Sequence, residues 1–135
     1  MAGSASDYLE NKILDHILGN TAYTAPATIY FALYTVAPSD SGGGTEVTGG
    51  SYARKAVTNN TTNFPNASGG SKSVPGAAFD FVTATANWGT VVAFSMMDAS
   101  TAGNFLYWAD LATNKAVNDG DIARFEASSI TVTQS

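Results

Sequence analysis

The chain has no cysteine, and its 135 residues include one histidine. Without thiols it can form neither a disulfide framework nor a thiolate metal site, and one histidine excludes a zinc site built from clustered histidines. We therefore expect no metal and no cofactor. A chain of this length buries roughly two-thirds of its unfolded surface, so a single domain over residues 1–135 needs no such cross-links.

Charge is also scarce, with 13% charged residues and a net charge of −5. The six lysines and arginines are scattered along the chain, with Arg54 and Lys55 as one adjacent pair, whereas a protein that binds nucleic acid or an anionic membrane concentrates basic residues. No apolar run approaches the roughly 20 residues that span a bilayer. The N-terminus lacks the basic and apolar regions of a signal peptide. We expect no nucleic-acid or membrane partner, and synthesis in the cytoplasm of a host cell.

One segment near the N-terminus has helical periodicity and predicts an α-helix over residues 7–18. A helix of about twelve residues is marginal alone, so its apolar stripe must be buried. The stripe can pack on the chain's own core or on a neighbouring subunit. Its members are Tyr8, Leu9, Ile13, Ile17 and Leu18, with Leu14 at the edge.

The ends of this helix also have sequence signals. Asp7 followed by Glu10 has the form of a capping box, and Ser6 is a competing N-cap one residue earlier. Gly19 and Asn20 predict the end of the helix.

After the helix, the sequence predicts β-strands between about residues 27 and 133. The first of these is apolar on both alternating sets of residues, which is typical of a central strand. Asp119-Gly120 is a hairpin signal. One helix followed by strands predicts a mainly β fold, an antiparallel β-sandwich for which a jelly roll is one topology. The predicted strands are residues 28–35, 51–58, 77–83, 90–97, 104–111 and 122–132.

The ionisable residues form no recognisable catalytic motif. His16 lies beside Asp15 on the helix, and no nucleophile-elbow pattern accompanies it. Asp80, Asp110 and Glu126 lie within predicted strands and are the acids from which a glycosidase pair could be drawn. Capping and turn formation explain most of the other acids. The sequence therefore predicts a protein without enzymatic activity.

Residues 1–6, 39–50 and 59–76 have no core role that the sequence reveals. They are rich in small and polar residues, and fixing them in place costs conformational entropy. We predict that these segments contact neighbouring subunits. The individual candidate interface residues are Tyr8, Leu9, Ile13, Ile17, Tyr52, Arg54, Phe64 and Trp108.

Five stretches of the chain, in this order, resemble a family of short virion proteins of tailed bacteriophages, described as head decoration or tail fiber-like proteins. They are SDYLENKILDHILG, PATIYFALYTVAPSD, GGSYARKAVT, TATANWGTVVAF and GNFLYWADLATNKAVNDGD. The Tyr52-Ala53-Arg54 triplet and the Ala86-Asn87-Trp88-Gly89 turn are the most distinctive pieces. The resemblance implies a β-sandwich on the outer surface of a capsid or tail, and it implies no reaction.

Three functions stay open at this point. The first is a capsid decoration or cement protein that bridges and stabilises major capsid protein subunits, because the chain has no repeated shaft. The second is a tail fiber or tail-associated module that recognises a host surface glycan through exposed tyrosine and tryptophan. The third is a small glycan hydrolase. The first two predict contacts with virion proteins and self-association as a dimer or trimer.

Overall fold

The structure is a computed structural model that describes residues 2–133, in which ten strands and one helix are assigned. The helix is α1 (Asp7–Ile17). The strands are β1 (Ala2–Ala5), β2 (Thr28–Val36), β3 (Thr45–Glu46), β4 (Lys55–Thr58), β5 (Ser71–Val74), β6 (Phe79–Asp80), β7 (Gly89–Met97), β8 (Phe105–Val117), β9 (Arg124–Phe125) and β10 (Ile130–Thr133).

Hydrogen-bonded strands follow the order β3-β2-β7-β8-β1-β10-β5, with β4 paired to β2 beside β3. Ser4 and Ala5 of β1 pair with β8, whereas Ala2 and Gly3 pair in parallel with β10. The short strand β1 therefore joins β8 to β10 within this large sheet, and β6 and β9 form a separate two-stranded sheet. We call the large and the small sheet the two layers of the fold. The predicted mainly β fold with antiparallel sheets and one helix is confirmed.

The centre of the core is the ring of Phe31, which is fully buried. Its centroid lies 4.7 Å from that of Phe79, 5.9 Å from Phe125, 6.3 Å from Phe94 and 6.4 Å from Phe64. These partners come from β6, β9, β7 and the segment between β4 and β5. One ring of β2 thus contacts elements from both layers.

The strand β2 is central, as its composition predicts. It pairs with β7 on one side and with β3 and β4 on the other. Phe31 and Leu33 face the main core, whereas Ala32 and Tyr34 face a second apolar cluster that includes Met97. Both alternating sets are apolar because both faces of this strand are covered.

The N-cap of α1 is Ser6, and the capping box predicted at Asp7 is wrong. The Ser6 hydroxyl accepts a hydrogen bond from the Leu9 amide at 3.2 Å and donates one to the Phe105 carbonyl. The same side chain therefore caps the helix and attaches it to β8. The helix ends at Ile17, and the predicted stop at Gly19 is confirmed.

The prediction that residues 59–76 have no core role is wrong. They contain β5, in which Val74 is 1% exposed and pairs with Ile130 of β10. They also contain Phe64, which is buried and stacks on Phe31. This strand could not be predicted from the sequence pattern, because the other residues of β5 are serines and a lysine.

The other two segments also belong to the fold. Residues 39–50 contain β3 and the buried Val47, and residues 2–6 contain β1 and the helix cap. Met1 lies outside the described residues. Contact between these segments and neighbouring subunits stays a prediction. It can no longer be based on the absence of another role, because all three segments contribute to the fold.

The hairpin predicted at Asp119-Gly120 is wrong, because β8 pairs with β7 and β9 pairs with β6. The turn is instead anchored on a loop that precedes β7. The Gly120 amide donates to the Ala84 carbonyl at 2.7 Å, and the Asp119 amide donates to Asn87 Oδ1 at 2.9 Å.

Three predicted strands are also shorter than expected. The strand predicted at 122–132 is divided into β9 and β10 by a turn in which Ser128 has a φ of 59°. The strands predicted at 51–58 and 77–83 shorten to β4 and β6.

The position of Phe31 predicts its contribution to stability. Replacing it with alanine leaves a cavity bounded by rings from both layers, so we expect Phe31→Ala to lower the free energy of unfolding by about 3–5 kcal/mol. Urea denaturation measures this, and Val82→Ala is the control because Val82 is 46% exposed. A loss for Phe31→Ala no greater than that for the control would contradict the assignment of the core.

Candidate contact site

The last turn of α1 carries a group of exposed aliphatic side chains. Leu14 is 55% exposed, Ile17 68% and Leu18 76%. We call these three residues the helix-end patch. Positions four residues apart on a helix advance by about 40° around its axis, so the apolar stripe turns gradually away from the core. Leu9 is accordingly buried, Ile13 half-buried and Ile17 exposed.

An apolar pocket of about 360 Å³ opens beside the same helix. We call it the helix pocket. Its walls combine side chains from α1, the loop after it, the segment before β5 and the five strands β2, β5, β7, β8 and β10, which are distant in sequence. The residues that form the apolar wall include Leu9, Ile13, Ile29, Phe64, Val74 and Met96.

Polar groups also line the helix pocket. Burial raises the pKa of the Tyr107 phenol and of the Tyr23 phenol, so both stay neutral donors at physiological pH. Lys72 also lies there, and its Nζ is 3.5 Å from the Phe64 carbonyl oxygen. Within residues 2–133, Lys72 makes no ion pair.

A second group of polar residues joins β3, the segment before β4 and the loop after β7. The Arg54 guanidinium donates two hydrogen bonds of 2.9 Å to the two carboxylate oxygens of Glu46 and one of 2.8 Å to each carbonyl of Ala99 and Ala102. The Tyr52 hydroxyl donates to Glu46 at 2.7 Å. The Arg54 side chain is 8% exposed, so its role inside the chain is to hold these three segments together.

The electrostatics of this group follow from burial and pairing. Burial alone would raise the pKa of the Glu46 carboxyl, but the hydrogen bonds from Arg54 and Tyr52 outweigh it and hold that pKa below its ordinary value. The hydrogen bond with Glu46 raises the pKa of Arg54, and burial raises the pKa of the Tyr52 phenol.

The two sequence pieces that are most distinctive of the virion family meet beside this group. The Tyr52 ring packs edge-on against Trp88 with centroids 5.3 Å apart, and Trp88 Nε1 donates to the Gly50 carbonyl at 2.9 Å. Gly50 has a φ of 54°, and a Cβ there would lie 2.9 Å from Trp88 Nε1. The positive φ and this close approach explain the glycine.

Trp108 is half-buried and linked to the loop after β2. Its Nε1 donates to Asp40 Oδ1 at 2.8 Å, and the Ser4 hydroxyl donates to the same oxygen at 3.1 Å. The Asp40 carbonyl accepts from the Asp7 amide at 2.9 Å. Asp40 therefore attaches this loop to β1, β8 and the start of α1.

The candidate interface residues differ in how far they are buried. Leu9 and Phe64 are buried, and the guanidinium of Arg54 is paired with Glu46. Ile17 is exposed in the helix-end patch. The half-buried candidates are Tyr8, Ile13, Tyr52 and Trp108.

The structure brings Leu9, Ile13 and Phe64 together at the helix pocket. The interface role of the candidate residues stays a prediction. Sequence reasoning placed Leu18 in the helical stripe and Leu14 at its edge but did not select them as individual interface residues, although their place just before the Gly19-Asn20 stop was a usable signal.

Most of the surface of the aromatic side chains is covered by other parts of the protein. Within residues 2–133, every phenylalanine, tyrosine and tryptophan is buried or half-buried. The exposed large apolar side chains in that range are aliphatic. The outward apolar surface therefore offers leucine, isoleucine and valine rather than open aromatic rings.

Three of the ionisable residues considered for catalysis, His16, Asp80 and Glu126, hold local structure, whereas Asp110 is exposed on β8. His16 Nδ1 accepts a hydrogen bond from the Tyr23 amide at 3.1 Å. Arg124 pairs with Asp80 at 3.2 Å and with Glu126 at 2.8 Å. In the part of the chain that the structure describes, no three histidine or acidic side chains are grouped to hold a metal ion. No helix in that part is long and apolar enough to cross a membrane.

A family model described as podophage GP4 fiber I protein gp80 matches residues 4–133. The match runs from the second half of β1 to the end of β10, so it includes both layers, α1 and the helix pocket. Among curated proteins, none matches the chain significantly.

The pairing of Glu46 with Arg54 predicts a pH-dependent stability. We expect Glu46→Gln to lower the free energy of unfolding by about 1.5–3 kcal/mol at pH 7, the range for hydrogen bonds to charged groups. Because the folded-state pKa of Glu46 lies below its ordinary value of 4.5, this contribution is complete above that value and is lost as the pH falls through the folded-state pKa.

The measurement is the difference in melting temperature between the parent and Glu46→Gln from pH 7 to pH 3. We expect the difference to shrink in acid. Glu126→Gln is the matched control, because Glu126 pairs with Arg124 on the surface and its side chain is 70% exposed. A difference for Glu46→Gln that stays constant with pH would show that the carboxylate charge does not stabilise this group.

Proposed function

This chain belongs to the podophage fiber I protein family, and we propose that it is a non-catalytic structural subunit of a fiber or other tail appendage. Family membership supports a bacteriophage virion protein with a structural role. Placement on the tail, the absence of catalysis and the kind of surface it contacts belong to the proposal.

The observation that best supports a protein-binding role is the separation of aromatic from aliphatic side chains. Sugar rings are bound by stacking on exposed aromatic rings, and here these rings are buried or half-buried within residues 2–133. Leu14, Ile17 and Leu18 instead expose aliphatic carbon at one end of the molecule. Exposed apolar groups clustered in this way are typical of protein–protein contact sites. We therefore favour assembly with proteins over recognition of a glycan.

The placement of the acids supports a non-catalytic role. Asp80 and Glu126 share Arg124 on the surface, and Asp40 is occupied by Trp108 and Ser4. Each of these carboxylates has a structural partner. A glycosidase instead needs two carboxyl groups that face one sugar from opposite sides.

The capsid decoration hypothesis from the sequence and the tail hypothesis are both compatible with the family. The family's description names a fiber protein, and this favours the appendage. A fiber subunit and a shell subunit differ most in number, because a shell has hundreds of equivalent positions and an appendage has few.

The test of location is the copy number of the chain in purified particles, measured by quantitative mass spectrometry against the major capsid protein. We expect far fewer copies than capsid subunits, with immunogold labelling at the tail. Hundreds of copies spread over the head would overturn the tail location and restore the decoration hypothesis.

The proposed absence of catalysis has a separate test. We expect His16→Ala, Asp80→Asn, Asp110→Asn and Glu126→Gln to leave assembly and infectivity within a fewfold of the parent. Plaque counts on complemented phage measure this, with particle composition as the control for incorporation. A large loss of infectivity in particles that contain the normal amount of a variant would show that the residue performs chemistry or specific recognition.

A further inference from the structure

We infer that a second copy of this chain inserts its helix-end patch into the helix pocket, so that subunits associate through α1. This inference rests on the proposed function, because it names the partner for a structural subunit. Residues of α1 contribute both to the helix-end patch and to the wall of the helix pocket.

The two parts are complementary in shape and polarity. The helix pocket has a volume of about 360 Å³, within the range of about 300–1,000 Å³ typical of pockets that hold small molecules, so it can admit aliphatic side chains. Its walls are largely apolar, as Ile29, Val74 and Met96 indicate. Leu18 is 76% exposed and Ile17 68% exposed, so most of their carbon surface is in water until a partner covers it.

Charge favours the same arrangement. Lys72 lines the pocket, and its Nζ contacts the Phe64 carbonyl at 3.5 Å but makes no ion pair among the described residues. Asp15 is next to Leu14 of the helix-end patch in sequence, and it likewise makes no ion pair in residues 2–133. With a net charge of −5, two copies repel each other overall. A pairing of Asp15 with Lys72 across the contact offsets this repulsion at one defined place.

The shared helix makes the contact self-complementary. Ile13 lines the helix pocket, and its neighbour Leu14 belongs to the helix-end patch. When two copies face each other across a two-fold axis, each can present both parts, and two equal contacts form one interface. A small apolar ligand would fill the pocket but leave Leu14, Ile17 and Leu18 exposed. A second copy covers both.

The test is sedimentation of the full chain over a range of concentrations. We expect the parent to associate reversibly, Leu18→Asp to weaken association at least tenfold, and Lys72→Glu to weaken it because two carboxylates then meet. The double variant Asp15→Lys with Lys72→Glu exchanges the two charges, and we expect it to restore most of the association.

Ile122→Asp is the matched control, since Ile122 is 52% exposed and does not line the helix pocket. We expect it to associate like the parent, and melting temperatures confirm that each variant is folded. The inference is overturned by a parent that stays monomeric, by equal effects of Leu18→Asp and Ile122→Asp, or by a charge exchange that restores nothing. None of these results changes the copy number in particles, so failure of this inference is distinguishable from failure of the proposed function.

Discussion

The Phe31 ring packs against aromatic rings from both layers, and this contact holds the large and the small sheet together. Phe79 and Phe125 come from the small sheet, Phe94 from β7 and Phe64 from the segment before β5. A chain without cysteine has no covalent link between its layers, so apolar contact must join them. Loops that are rich in glycine and serine are therefore held in place by single apolar residues that pack into the core, such as Val47 and Phe64.

Elements with a strong local pattern could be predicted from the sequence. The helix and β2 were predicted within one residue of their ends, because helical spacing and β-branched runs are local signals. The strand β5 could not be predicted, since three of its four residues are polar and its place depends on pairing with β10, more than fifty residues away. The hairpin prediction at Asp119-Gly120 was wrong for a related reason. The residues favour a turn locally, but the strands on either side of it pair with strands elsewhere in the chain.

The candidate site shows the same division. Ile17 could be selected from helical periodicity alone, but that periodicity does not show at which residue the stripe leaves the core, which is after Ile13. The helix pocket was unpredictable, because its walls combine Leu9, Val74 and Val132 from the beginning, middle and end of the chain. Tyr52 and Arg54 were distinctive in sequence, and the structure explains this by their bonds to Glu46 and their packing beside Trp88.

The side chains that hold the sheets together and the side chains that are exposed for contact lie in different parts of this fold. Aromatic rings join the two layers, and the paired Arg54 holds β3, the segment before β4 and the loop after β7 together. The one helix is attached at its first turn by Ser6 and extends outward at its last turn, where Ile17 and Leu18 meet water. A short helix held at one end can present an apolar surface without disturbing the sheets that support it. Subunits that must join a particle without refolding need this division, because the interface then forms at little cost in conformational entropy.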